Sequence, residues 1–160
     1  MIKMITKSNI YVHYGSDEFV KSKFLPVKNY RSVVFKKPVP CTGFWASPKN
    51  SEHSWKKWCE QEGFGLDKLK NSFEFFLKEN SKILLLKTLQ DYEKMLEIYT
   101  TKIEDVPCIL GETRIIDFEK MQKDGIDAIL YFVKDLYFEM YGWDCDSILV
   151  LNPEIIIPVK

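Results

Sequence analysis

The sequence predicts an α+β domain, and three observations carry that expectation. Short runs of β-branched and aromatic residues recur between turn residues, as in Ile10-Tyr11-Val12-His13-Tyr14. Helix-period apolar spacing lies between some of these runs, clearest at Leu89, Tyr92, Met95, Leu96 and Tyr99. The 160 residues are 46% hydrophobic and 29% charged, with 7 Gly and 7 Pro, which suits one core-bearing domain and excludes long low-complexity stretches.

Taken in order, residues 10–14 alternate and read as a strand closed by Gly15-Ser16-Asp17. Residues 18–40 carry Pro26, Pro38 and Pro40 and read as a long loop with a short strand at 32–35. Loops of that length inside a domain are often functional. Gly43-Phe44-Trp45-Ala46-Ser47 is a second strand, stopped by Pro48. Asn50 or Ser51 can cap a following helix that carries Trp55 and Trp58 on one face and ends near Gly63. A strand is expected over 82–87 and an amphipathic helix over 89–99, begun by Gln90-Asp91. A polar link runs through Pro107 and Gly111. Asp117 caps a helix over 118–123 that Asp124-Gly125 ends. Strands are expected over 126–133, 147–151 and 155–159, with a loop or helical turn over 135–143 and a break at Asn152-Pro153. The sum is about six short strands with three or four inserted helices in a single domain over 1–160.

Charge and cysteines narrow the function classes. Lys and Arg number 23, Asp and Glu 23, so bulk electrostatic binding to a nucleic-acid backbone is disfavoured. A nucleotide or nucleic-acid module would have to rely on the local run Lys21, Lys23, Lys28, Arg31, Lys36 and Lys37. Cys41, Cys59, Cys108 and Cys145 form no close pair, which argues against a zinc site and for free thiols in a reducing compartment. No signal peptide is read at the start, and the apolar runs are too short to cross a bilayer, so a cytoplasmic location is expected.

Three polar positions stand out beside Gly, Pro or aromatic residues: His13, Ser47 with Trp45, and Asp144 with Asp146. A neutral imidazole can donate one hydrogen bond and accept another. Gly15 lets a ligand approach the backbone, and Phe44 or Trp45 can stack on a planar heterocycle. A carboxylate can stabilise an oxocarbenium-like sugar centre. Together these suit cleavage of an N-glycosidic bond to a cationic base. Each residue also has an ordinary reading: His13 as a structural histidine, the tryptophans as core, and the two aspartates as turn formers.

The same segments resemble a known family. Val12-His13-Tyr14-Gly15-Ser16 resembles the opening strand of ADP-ribosyltransferase-like domains, and Gly43-Phe44-Trp45-Ala46-Ser47-Pro48 their second strand. Asp117-Phe118-Glu119 through Gly125-Ile126-Asp127-Ala128-Ile129 is similar to their late helix–strand unit, and Asp144 through Ile156 to their closing strand. The resemblance implies a split, partly antiparallel sheet with inserted helices and an NAD cleft between its halves. It implies that His13 contacts the nicotinamide ribose, Gly15 lies against the carboxamide, and Trp45 or Ser47 lines the nicotinamide pocket. Asp146 or Asp144 takes the place of the family's catalytic acid, usually Glu, although Ser147 could equally occupy that slot. NAD is then the substrate and a macromolecule, expected to be a protein, the acceptor. The rival expectation is a non-catalytic interaction protein on a similar scaffold, its aromatic surplus divided between core and a partner-binding patch.

Overall fold

A computed structural model describes residues 2–4, 9–103 and 114–160. Cys108, Pro107 and Gly111 lie outside the described residues. The fold is mixed α+β. Its strands are β1 (Ile2–Met4), β2 (Tyr11–Tyr14), β3 (Phe44–Pro48), β4 (Ser72–Leu77), β5 (Lys82–Leu86), β6 (Thr100–Lys102), β7 (Arg114–Ile116), β8 (Ala128–Tyr131), β9 (Ser147–Val150) and β10 (Ile156–Pro158). Its helices are α1 (Trp55–Glu62), α2 (Leu89–Ile98) and α3 (Phe118–Lys123). Eight strands form one sheet in the order β1-β5-β8-β9-β3-β2-β4-β10, and β6 and β7 pair separately. Only β5 and β8 pair in parallel among the described strands, because α2 and α3 lie in the chain between them.

β9 sits at the centre, and all four of its residues are buried. Ile148 and Val150 enter one core with Tyr11, Phe75 and Ile83. Leu149 and the following Leu151 enter another with Met121, Tyr131 and Trp143. This is why the segment is a continuous apolar run: alternation has no solvent face to serve. The first core also fixes the shape of the sheet. β4 and β5 stand five places apart in the strand order, roughly 24 Å in a flat sheet, yet Phe75 and Ile83 share one core. The sheet must therefore curl, bringing β2, β4 and β10 back over one face of β5, β8 and β9. The opposite face is covered by α2, α3 and the turns over 134–142.

Local chemistry sets the boundaries. Thr88 and Asp91 form a capping box at the start of α2, and the Asp117 carboxylate accepts from Lys120 N–H at the start of α3. For α1 the cap is Ser54, accepting from Lys57 N–H, rather than Asn50 or Ser51. Asn50 instead adopts a φ of 62° in the turn after β3. The expected strand over 32–35 does not form: those residues are irregular loop with bends at Val33 and Val34, and Phe35 N–H reaches the Ser32 hydroxyl instead of a strand partner. β1, β4, β6 and β7 were not expected, so the described residues hold ten strands rather than six. No helix among the described residues is long and apolar enough to cross a membrane.

The long loop before β3 is irregular but anchored. Val27 is buried in the core, and its N–H donates to Gln122 Oε1. Asn29 Nδ2 donates to Asp117 Oδ1 at 2.8 Å, at the cap of α3. Trp143 Nε1 donates to the Lys36 carbonyl at 2.6 Å, and Lys36 N–H donates to the Tyr141 carbonyl. These bonds hold the loop beside β3 without making it a strand.

Candidate functional site

The site begins where two strands part. The β2–β3 ladder pairs Tyr11 with Pro48 and Val12 with Ser47, and beyond Val12 it does not continue to His13. His13 fills the gap with its side chain, Nδ1 lying 2.6 Å from the Trp45 carbonyl oxygen. A carbonyl only accepts, so Nδ1 carries the hydrogen in the neutral ring and Nε2 is left as the acceptor, an assignment made from the partner. The ring stacks on Phe44 at 4.4 Å between centroids and leans on Phe73 at 5.5 Å. Burial lowers the His13 pKa below the ordinary 6.5, and the bond to Trp45 offsets part of that effect. The imidazole is therefore neutral at pH 7.

Along this parting lies a cavity of about 690 Å³, well within the usual range for small-molecule sites. Val12, Tyr14, Trp45 and Ser47 from β2 and β3 line it, with His13 at the gap. One wall is Trp55 of α1 with Phe64, Gly65 and Lys68. Another is the long loop, through Tyr30, Phe35 and Lys37. The approach to β9 closes it with Trp143, Asp144 and Cys145. The aromatic parts brace one another. Trp45 meets Trp143 edge-on at 4.6 Å, while Trp55 stacks on Trp58 at 5.1 Å with Phe64 against both. Lys37 Nζ stands 5.6 Å from the centre of the Trp45 ring.

Four of the six residues singled out from sequence meet here: His13, Trp45, Ser47 and Asp144. Two do not. Gly15 is exposed in the turn after β2, where its φ of 108° and its N–H donation to the Asn71 carbonyl explain the glycine, and it does not line the cavity. Asp146 is 5% exposed, and its carboxylate faces other groups. Oδ1 accepts from Val133 N–H at 2.9 Å and Oδ2 from the Ser51 hydroxyl, while Asp146 N–H donates to the His53 carbonyl. Of the two expected acids, the one that lines the cavity is therefore Asp144, which is half-buried.

Ser47 is at the lining but its donor is already used. The hydroxyl donates to the Asp146 carbonyl at 3.1 Å and accepts from Trp55 N–H at 3.0 Å. It ties the wall to the start of β9. Ser147, at the slot where the family resemblance allows an acid, donates its hydroxyl to the Cys145 carbonyl at 2.8 Å. Burial pushes the Cys145 thiol up to about 11, so at neutral pH it is a protonated packing group rather than a nucleophile. Among the described residues no three metal-ligating side chains gather.

Tyr30, Phe35, Phe64, Lys68 and Trp143 were not expected at the site. For the first two a signal was present, the long proline-punctuated loop; Lys68 reads locally as a solvated charge. No family model matches this chain, and neither a curated protein nor a solved structure matches it.

Proposed function

We propose that the cavity binds NAD and that the chain is an ADP-ribosyltransferase-like domain, passing ADP-ribose to a macromolecular acceptor and releasing nicotinamide. The observation that carries this reading is the convergence of His13, Trp45 and Asp144 on one cavity, from positions near the start, a third along and near the end of the chain. The parting of β2 and β3, in a mixed sheet with helices inserted between strands, is the kind of cleft the reading requires.

In this reading the half-buried indole of Trp45, braced edge-on by buried Trp143, offers an apolar surface to the nicotinamide ring, and neutral His13 supplies a hydrogen-bond acceptor for a ribose hydroxyl. The bond between the ribose carbon and the nicotinamide nitrogen breaks, and its electron pair leaves with nicotinamide. Positive charge grows on the ribose, where the Asp144 carboxylate stabilises it in an apolar setting. The acceptor's nucleophile then forms the new bond to the ribose carbon and gives up its proton to water. Labelled NAD incubated with the protein and a lysate should yield free nicotinamide and a labelled band. Asp144→Asn should lower turnover at least a hundredfold while leaving NAD binding within about threefold. Unchanged turnover in that variant would remove Asp144 from the mechanism.

One observation favours a non-catalytic partner-binding reading. Phe138 is 84% exposed, next to half-exposed Tyr137 and Tyr141, and Tyr141 packs on Phe35 of the cavity wall. NAD binding without nicotinamide release, in the presence of any lysate, would favour that reading.

A further inference from the structure

We infer that Lys37 and Lys68 take the diphosphate of a nucleotide in this cavity, so that the adenylate–diphosphate half of the ligand carries much of its affinity. This deepens the NAD reading above and rests on it for the other half of the ligand, but not on turnover.

The argument is one of charge balance in an apolar site. Two lysines border the cavity, half-buried Lys37 and exposed Lys68, and Asp144 is the one acidic residue of its lining. Among the described residues neither lysine is in an ion pair. Lys37 is placed rather than loose. The carbonyl of its neighbour Lys36 is held by Trp143 Nε1. The Lys37 stem runs past Gly142, with Cδ and Cε 3.7 and 3.8 Å from where a β-carbon there would sit. Its ammonium then stands over Trp45, so a ring face partly balances the charge.

Lys68 comes from a separate element, the 3₁₀ turn Leu66–Lys70, and its N–H closes on the carbonyl of Gly65, another lining residue. A ligand that satisfies both must combine at least two negative charges with flat rings for the surrounding aromatics. A nucleoside diphosphate has that chemistry. Phosphate oxygens give an ammonium charge-assisted hydrogen bonds that an indole face does not.

The test is calorimetric titration of the full chain with ADP, adenosine and NAD, using Lys37→Met, Lys68→Met and the control Lys94→Met, with folding checked by circular dichroism. Methionine keeps the apolar stem and removes the charge. ADP should bind at least tenfold tighter than adenosine. Each cavity variant should weaken ADP on the order of tenfold and leave adenosine unchanged, and the control should change neither. The ADP preference should also shrink as salt is raised. ADP binding no tighter than adenosine, or equal in the lysine variants, overturns the inference. If NAD is still bound and cleaved in that case, the transferase reading survives without it. Lysine-dependent ADP binding with no binding of NAD gives the reverse outcome.

Discussion

Asp146→Ala removes a carboxylate that ties together three stretches of chain: the segment just past β8 at Val133, the turn after β3 at Ser51, and the start of β9. The variant leaves Val133 N–H and the Ser51 hydroxyl without their acceptor in a setting where Asp146 is 5% exposed. Hydrogen bonds to a charged group contribute about 1.5–3 kcal/mol each, and one of the two, at Ser51, can recover water in part. The expected cost is therefore about 3–5 kcal/mol, a large share of the roughly 5–15 kcal/mol that stabilises a domain. For a chain of 160 residues that is a fall in melting temperature of about 6–20 °C. Asp146→Asn keeps an acceptor for Val133 and should cost less than half as much. Urea unfolding followed by circular dichroism measures both, and NAD titration of the folded variants should stay near the parent value. A stability loss under about 1 kcal/mol, together with lost NAD binding, would refute the assignment of Asp146 to structure and return it to the site.

The pH dependence of stability tests His13. Its folded pKa lies below 6.5 because of burial, so as pH falls through that value the unfolded chain takes up a proton that the folded chain refuses. Stability should be fully present above about pH 6.5 and decline as pH drops toward the folded value. His13→Gln should lack that decline, so the wild-type-minus-variant difference should fall as pH drops from 7 to 5; a difference that stays flat with pH would sink the assignment. Gly43→Ala should cost about 2–4 kcal/mol, since φ is 68° and the new β-carbon would sit 2.6 Å from Leu149 Cδ1. A urea midpoint equal to the parent's would show that β9 can yield there.

How far the sequence could be read depends on the range of the forces involved. The β9 segment and the cap of α3 were legible because burial on both faces and an Asp at N-cap are local signals. β4 was not separated from its neighbours, although Phe73, Phe75 and Leu77 alternate inward as a strand should. β6 and β7 are three residues each and have no period to read. The choice between Asp144 and Asp146 was not legible at all. Both precede β9, in irregular backbone where alternation does not apply. What turns Asp146 inward is Val133, 13 residues away, and Ser51, 95 residues away. Lys37 and Lys68 are likewise ordinary charges until the curl of the sheet sets two distant segments around one cavity.

Ser47 shows how binding and folding can be separated in a residue that lines a cavity yet is 2% exposed. Its hydroxyl donates to Asp146 and accepts from Trp55, so the donor that could have served a ligand already joins β9 to the wall. Ser47→Ala leaves the Asp146 carbonyl and Trp55 N–H unpaired, a cost of about 1–3 kcal/mol. The start of α1 would lose that tie to β3, while the Trp55 ring keeps its stack on Trp58 and its edge contact with Phe64. Ligand affinity should fall by no more than about threefold, through a looser wall. Because Asp146→Ala removes the side chain but keeps the carbonyl that Ser47 uses, the two stability losses should be close to additive. A double variant no less stable than Asp146→Ala alone would mean that Ser47 acts only through the Asp146 carboxylate. A tenfold loss of NAD affinity at unchanged stability would mean that the hydroxyl turns to the ligand after all.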